Sequence, residues 1–347
     1  MRTCTDGKKR GGLDETGDRR REALAGGELA QIPGTDLDFH SCVVPERETF
    51  ACLVGGIAGK LLSVVVTLPS GCWILHESAR RYHWEGTGEF SIKSFTGGRA
   101  QYRVGAGYHA VDDRSYLLLN GGQEYEITIE SRQPVESFCL FFAAGFLEDV
   151  QRNLTNSAKR LLDEPLAQCR RVRFFEKNYT HDNLISPALF HLRANIQHHE
   201  SGWVTDQLHD LVDRLLKVHE LARTEAERFE AVRPATREEL YRRVCRARDY
   251  AEALFAERVS LAELARAACL SPNHLLRSFR QLFGETPHQF LTRRRLEEAK
   301  RMLVQEEASV TDICFAVGFE SHGSFSSLFR RRFGLSPSEY RGRLAKR

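Results

Sequence analysis

The sequence predicts an α+β protein of two domains. The first is a β-barrel or jelly roll with flanking helices, and the second is an all-α domain with two helix-turn-helix units. Short runs rich in Val, Ile, Leu, Phe and Tyr, broken by Gly and polar turns, occupy residues 50–142, which is typical of a small all-β domain. Near the C-terminus, a unit with helix, turn and helix signals occurs twice, about 50 residues apart.

The first 37 residues differ in composition from the rest of the chain. They are rich in charge and glycine and show no sustained apolar periodicity. Such a segment cannot bury enough apolar surface to fold, and we expect residues 1–37 to be a disordered leader.

Residues 38–232 are expected to form the first domain. Its predicted strands share a high content of β-branched and aromatic residues. They are Leu61–Leu68, Cys72–His76, Phe90–Phe95, Gln101–Val104, Ser115–Leu119, Tyr125–Glu130 and Glu136–Phe142.

Histidines and aromatic residues of this domain raise the question of a binding site. His76, His83 and His109 are too scattered for ligands that must converge on one metal ion, so neither a metal nor a cofactor is predicted. Four residues could line a pocket for a small-molecule effector, although aromatic residues in a barrel also serve as plain core. They are Trp73, His76, Tyr82 and His83.

The cysteines and the hydropathy indicate a compartment. Nine cysteines without a C-x-x-C pair argue against a disulfide framework or a zinc site. Cys139, Cys269 and Cys314 stand among apolar residues and are expected to be small core side chains. No signal-like N-terminus and no run of 18 apolar residues occurs, which predicts a cytoplasmic protein.

Helical periodicity follows the strands. We predict helices over Ala144–Leu162, over Leu184–His199 and over about 203–229, the last with a long apolar stripe. That stripe could pack on the barrel, or it could form a coiled-coil seam in a homodimer. A linker is predicted over 232–235, because proline disfavours helix in the residue before it.

Residues 236–347 are expected to form the second domain, whose first helix would be capped by Thr236 with Glu239. The first repeat begins with the capping box Ser260 and Glu263. The second begins with Ser309 and Asp312, an acidic variant of that box.

In each repeat the first helix is apolar on one face and leads to a tight turn. Gly318 suits a left-handed turn, whereas the first repeat has Cys269 at that place. The second helix of the first repeat begins at Ser271-Pro272, a cap followed by proline. This pattern predicts helix-turn-helix units at about 260–281 and 309–331. A connecting helix is predicted at about 287–303, capped by Thr286 and Gln289.

Charge is distributed unevenly along the chain. Residues 236–347 contain 21 Lys and Arg against 14 Asp and Glu, a net charge of +7, whereas the remainder has 29 against 33, a net charge of −4. A basic C-terminal third on an acidic body fits a nucleic-acid module attached to another kind of domain.

From Arg237 to Arg343 the sequence resembles the DNA-binding domain of AraC/XylS-type bacterial transcription regulators. The most specific match is D-I-C-F-A-V-G-F-E-S followed by S-F-S-S-L-F-R-R-R-F-G-L-S-P-S-E-Y-R. The resemblance implies two helix-turn-helix units on successive major-groove segments of promoter DNA, and a cupin-like barrel in the first domain. It also implies contact with RNA polymerase, usually as an activator.

Candidate DNA contacts lie on the second helix of each unit. Arg277 is the best candidate for base recognition, because arginine can bind guanine O6 and N7 together, and Asn273 could pair with adenine. The contacts expected from the first unit are Ser271, Asn273, His274, Arg277, Ser278, Arg280 and Gln281. Those expected from the second unit are Ser321, His322, Gly323, Ser324, Ser327, Arg330 and Arg331.

The second unit departs from the family pattern. Where relatives often have a glutamine and then an arginine, this chain has Gly323 and Ser327. The second unit is therefore expected to read bases less sharply and to dock through Arg330, Arg331 and the start of its helix.

The expected function is sequence-specific regulation of transcription under the control of a small-molecule effector, without enzymatic activity. Two alternatives remain open. One is a cupin-type enzyme fused to a DNA-binding module, which would need convergent metal ligands. The other is an architectural DNA-binding protein without a ligand, which would show weak sequence preference.

Overall fold

The computed structural model describes residues 64–164, 171–230, 233–305 and 307–344. All of them belong to one compact unit. The leader predicted over residues 1–37 and the first part of the strand predicted at 61–68 lie outside the described residues.

The described N-terminal strands form one antiparallel sheet of eight strands. Its order is β1-β2-β7-β3-β6-β8, and β4 pairs with both β5 and β7. The strands are β1 (Val64–Thr67), β2 (Trp73–Gly88), β3 (Phe90–Thr96), β4 (Ala100–Val104), β5 (Gly107–Val111), β6 (Ser115–Leu119), β7 (Gln123–Phe142) and β8 (Asn178–Thr180). An antiparallel N-terminal sheet followed by helices is as predicted, whereas closure into a barrel or jelly roll stays a prediction.

Two strands are much longer than predicted. β2 and β7 pair from Trp73 with Phe141 to Gly88 with Gln123, with one shift in register between Ala79 and Arg81. The sequence predicted two strands in place of β7, because residues 131–133 are polar. The backbone stays extended there, since pairing continues beside a stretch where apolar alternation stops. β5 and β8 were not predicted.

The sheet has an apolar cluster on each face. The inner cluster joins strands only, and the helix-facing cluster joins the sheet to helices. The inner cluster consists mainly of Phe95, Tyr102, Val104, Leu117, Leu119, Tyr125, Ile127, Ile129, Cys139 and Phe141. In the helix-facing cluster, strand residues such as Ile92 and Leu140 pack with Val150, Leu189 and Leu208 of three helices.

Eleven helices occur in the described residues. They are α1 (Phe146–Thr155), α2 (Ala158–Asp163), α3 (Ser186–Asn195), α4 (Ser201–Ala226), α5 (Pro234–Ala253), α6 (Leu261–Ala267), α7 (Pro272–Phe283), α8 (Pro287–Gln305), α9 (Val310–Ala316), α10 (His322–Phe333) and α11 (Pro337–Leu344). The single helix predicted over 144–162 is two helices, because Ser157 caps a new helix by accepting from the Arg160 N–H.

The apolar stripe of α4 packs within the chain. Val204, Leu208, Leu211 and Leu215 are each at most 1% exposed and belong to the helix-facing cluster. They therefore cannot also form a coiled-coil seam, and packing on the sheet is the correct interpretation. Only Leu221 of the predicted stripe is strongly exposed, at 57%.

The first C-terminal helix begins earlier than predicted. α5 starts at Pro234 with Arg233 as its N-cap, so Thr236 does not cap it. Proline suits the first helical position, because its fixed φ is helical and no N–H is lost there.

Candidate nucleic-acid interface

Two helical hairpins, α6–α7 and α9–α10, carry the predicted DNA contacts. The first hairpin begins with the predicted capping box. The Ser260 hydroxyl accepts from the Glu263 N–H at 3.2 Å, and the Glu263 carboxylate accepts from the Ser260 N–H at 2.8 Å. The backbone bond from Ser260 lowers the pKa of the Glu263 carboxyl, since it stabilises the ionised form.

The second hairpin begins with a serine cap that lacks the reciprocal bond from the backbone N–H to the carboxylate. The Ser309 hydroxyl accepts from the Asp312 N–H at 3.0 Å. The second helix of each hairpin starts at a serine cap, where Ser271 accepts from the His274 N–H and Ser321 from the Ser324 N–H. The predicted helix starts are therefore confirmed in both copies.

The two turns adopt the same left-handed conformation with different residues. Gly318 has a φ of 91° and Cys269 a φ of 52°. Cys269 is also exposed, so the prediction that it is a core side chain is wrong. Cys139 and Cys314 are buried as predicted.

The outer face of α7 presents most of the predicted contacts to solvent. Ser271, Asn273, Arg277 and Arg280 are exposed, and His274 is half-buried. Ser278 is only 3% exposed. Its assignment as a DNA contact is therefore wrong, because its position on the helix turns it towards the protein interior.

Gln281 has a partner within the chain. Its side-chain amide donates to the Arg228 carbonyl oxygen at 2.8 Å, and the Arg228 guanidinium approaches the Leu282 carbonyl oxygen at 3.5 Å. Gln281 thus ties the end of α7 to the segment that follows α4.

Leu276 is a candidate that the sequence reasoning missed. It is 38% exposed, although its neighbour Leu275 is fully buried. Its exposure could have been predicted from the sequence, because Leu276 lies one position outside the apolar stripe of α7. A shallow groove on this face is lined by Asn273, Leu276, Arg277, Arg280, Gln281 and Thr286.

The outer face of α10 is exposed as predicted. This holds for Ser321, His322, Gly323, Ser324, Ser327, Arg330 and Arg331. Among the described residues, no carboxylate lies within 4.0 Å of the guanidinium of Arg330 or Arg331, whereas Arg332 lies 3.6 Å from Glu297. Both Arg330 and Arg331 are exposed and accessible to phosphate, and Arg330 also interacts electrostatically with Glu339.

The connecting helix α8 is held firmly against α5. The Thr286 hydroxyl accepts from the Gln289 N–H, and the Gln289 side chain accepts from the Thr286 N–H, which confirms the predicted cap. Arg294 is 2% exposed and forms ion pairs with Glu252 of α5 at 2.5 Å and Glu298 at 3.0 Å. Such buried pairs fix the position of α8.

A buried carboxylate joins the N-terminal region (64–230) to the C-terminal region (233–344). Asp249 of α5 is fully buried and accepts from the Asn178 N–H at 2.8 Å and from His109 at 3.2 Å. Arg248 donates to Asp249 at 2.5 Å and to the Asn178 carbonyl oxygen at 2.6 Å. Burial opposes ionisation of Asp249, but Arg248 and His109 outweigh it and lower its pKa.

The four predicted effector residues do not converge. Trp73 and Tyr82 pack against the inner cluster, whereas His76 lies beside Glu136 at 2.6 Å and edge-on to Phe138 of the helix-facing cluster. The side chain of His83 is 58% exposed. Alternation along β2 places them on different faces of the sheet, so they cannot line one pocket.

The described residues contain no group of three or more His, Cys, Asp and Glu placed to hold a metal ion. None of their helices is both long and apolar enough to cross a membrane.

Comparisons with known proteins converge on the C-terminal region. A family model described as a helix-turn-helix domain matches residues 264–343. Over 87 residues the chain is 45% identical to the HTH-type transcriptional activator RhaS of Escherichia fergusonii, covering 25% of this chain and 31% of that protein. Over 92 residues it is 35% identical to the probable transcriptional regulator LumQ of Photobacterium leiognathi, covering 26% of this chain and 37% of that protein.

One solved structure is similar over almost its whole length. It is a transcriptional regulator with an AraC-type DNA-binding domain from Chromobacterium violaceum, 32% identical over 30% of this chain and 93% of that chain, with a TM-score of 0.29. The chain spans about a third of the length of the curated relatives it matches. These relatives are named as transcription regulators and not as enzymes. Through its C-terminal helix-turn-helix domain, the chain belongs to the AraC/XylS family of transcription regulators.

Proposed function

We propose that this protein is a sequence-specific transcription regulator whose hairpins α6–α7 and α9–α10 are two helix-turn-helix units. The observation that carries the proposal is the repeated hairpin with an exposed cationic face on its second helix. At 1.5 Å per residue, the 19 residues of α8 span about 28 Å. This length suits two units on one side of a duplex, spaced by one turn of about 34 Å.

In the first unit, α7 would read base edges. Arg277 is assigned to guanine and Asn273 to adenine, which are the pairings that their donors and acceptors favour. The exposed side chain of Leu276 suits a thymine methyl group. Arg280 is assigned to phosphate, because it lies near the end of the helix.

In the second unit, α10 would contact mainly the phosphate backbone, and its contacts with bases would be few. Between His322 and Arg330 its outer face offers only the short residues Gly323, Ser324 and Ser327. Arg330 and Arg331 are assigned to phosphate. The backbone N–H groups at the start of α10, near Ser321 and His322, suit another phosphate. Binding should weaken steeply with added salt, because each neutralised phosphate releases a counterion.

The N-terminal region is proposed to be the regulatory domain, with a cupin-like barrel that senses a small molecule in the cytoplasm. The bonds of Asp249 to Asn178 and His109 support this division of labour, because they couple the sheet directly to the first helix of the DNA-binding domain. Activation through RNA polymerase and assembly as a homodimer are proposed from the family resemblance. The buried stripe of α4 plays no part in that dimer.

The test is selection of bound sequences from a random pool of double-stranded DNA. Wild type should enrich a motif with one sharp block and one weaker block. Arg277→Ala should blur one position of the sharp block, at a cost of about 1–3 kcal/mol in discrimination. The control Arg332→Ala, which removes an arginine paired with Glu297, should leave the motif unchanged. Failure of wild type to enrich any motif would refute sequence-specific binding.

A further inference from the structure

A lysine ammonium is buried on the inner face of the sheet. Lys93 of β3 is 2% exposed. Its Nζ donates to the Tyr125 hydroxyl at 3.2 Å and lies 3.7 Å from the centre of the Phe141 ring. An ammonium has three donors, and only this one acceptor is present among the described residues.

Among the described residues, no carboxylate compensates this charge. Within the described residues, no Asp or Glu oxygen lies within 4.0 Å of the Lys93 Nζ, and this includes Glu77, which faces the same cluster from β2. Burial lowers the pKa of Lys93 to about 8, and the Cys139 thiol opposes that shift only partly. The lysine therefore still carries its proton at neutral pH. A buried cation without a charged partner is costly, and a buried group with a strongly shifted pKa is a candidate for a functional site.

A second unpartnered donor lies beside it. Ser91 is fully buried, and its hydroxyl has no hydrogen-bond partner among the described residues. Strand register pairs Ser91 with Phe141 and Lys93 with Cys139. Residues two apart on a strand share a face, so the hydroxyl and the ammonium point into the same cluster.

The side chains around these two donors are mainly apolar and aromatic. Trp73 stacks on Phe141 with ring centres 3.6 Å apart. Trp73, Leu75, Tyr82 and Trp84 are only partly buried where they pack on this cluster, so the inner face meets solvent along β2. Aromatic walls with a few convergent polar groups are the usual make-up of a small-molecule site.

We propose that the inner cluster binds a small carboxylic acid with an aromatic or aliphatic body, whose carboxylate receives hydrogen bonds from Lys93 and Ser91. The body of the ligand packs among Phe141, Trp73 and Tyr125. The inference rests on the proposed regulatory role of the N-terminal region and names the chemistry of its effector. In this proposed effector site, Lys93 and Ser91, which share one face of the sheet, take the place of His76 and His83, which do not lie on that face.

The experiment uses the full chain and three acids: cinnamate, phenylacetate and octanoate. Each is compared with its neutral amide at pH 7 and constant ionic strength. Thermal unfolding and calorimetric titration are measured for wild type, Lys93→Met and the control Lys217→Met, which removes an exposed lysine of α4. At least one acid should raise the Tm of wild type and of the control, and its amide should not. Lys93→Met should abolish the shift.

The variant Ser91→Ala provides a second test of the site if Lys93→Met fails to fold. It keeps the ammonium and should weaken binding of the active acid severalfold. The inference is overturned if no acid shifts wild type, or if the shift survives in Lys93→Met. The same samples are tested for DNA binding, so that intact DNA binding without acid binding refutes this site alone.

Discussion

At the residue scale, Cys269 and Gly318 adopt the same left-handed backbone conformation in the turns of the two hairpins, although only Cys269 has a side chain. A left-handed φ costs a residue with a Cβ about 1–2 kcal/mol. Cys269→Gly should therefore raise the free energy of unfolding by about 1 kcal/mol. Gly318→Ala should lower it by more than about 2 kcal/mol, because the new Cβ would lie 2.4 Å from the Ala256 carbonyl oxygen. Urea unfolding measures both, and equal effects of the two substitutions would contradict this account.

The titration of Lys93 makes a second prediction at this scale. Its pKa is about 8 in the folded protein, against about 10.4 in an unfolded chain. Below pH 8 the lysine is charged in both states, so burying it costs stability. Above pH 10.4 it is neutral in both states. Lys93→Met should therefore be more stable than wild type below pH 8, by about 3 kcal/mol at most.

That advantage should shrink as the pH rises from 8 to about 10.5, because the unfolded state then holds more protons than the folded state. Urea unfolding at pH 7.5 and pH 10 measures the difference. A difference independent of pH would show that Lys93 is not buried as a cation.

At the scale of elements, Asp249 links α5 to the sheet. Asp249→Asn should destabilise the protein by about 3–5 kcal/mol, because it leaves the buried Arg248 without its counter-charge. The control Asp213→Asn removes an exposed pair with Lys217 and should cost less than about 1 kcal/mol. Since the pKa of Asp249 is lowered on folding, its contribution is present above pH 4 and lost as the pH falls through the folded value. Denaturant unfolding at pH 7 distinguishes the two variants.

Sequence reasoning predicted most of the helix caps, which depend on neighbours along the chain, but it placed the cap of α5 at Thr236 instead of Arg233. The caps at Ser260, Thr286 and Ser309 are set by residues three positions away, and all three are present. The burial of Ser278 and the bond from Gln281 to Arg228 were missed. Both depend on which part of the chain packs beside α7, and a local pattern carries no such information.

The same limit explains the sheet and its site. Alternation of apolar residues identified most strands but broke β7 at its polar middle. The sequence prediction also placed Trp73 and His76 in one candidate pocket, although their side chains lie on opposite sides of the sheet. Lys93 was missed because a single lysine in a strand is usually exposed, and only the assembled sheet buries it.

At the scale of the whole molecule, the two regions share one core. Phe175, Ala222 and Phe229 of the N-terminal region belong to the apolar cluster that contains α5 and Phe279 of α7. A conformational change in the sheet would therefore reach α7 through packed side chains and through Asp249. This arrangement supports regulation by coupled movement of the two regions.

The proposed binding of two units to successive major grooves on one side of DNA is measured most directly by hydroxyl-radical footprinting on the selected sequence. Wild type is compared with the double variant Arg330→Ala, Arg331→Ala. Wild type should protect two blocks about one helical turn apart, roughly 34 Å, and the double variant should lose protection only in the block under α10. A single protected block in wild type would contradict the two-unit reading.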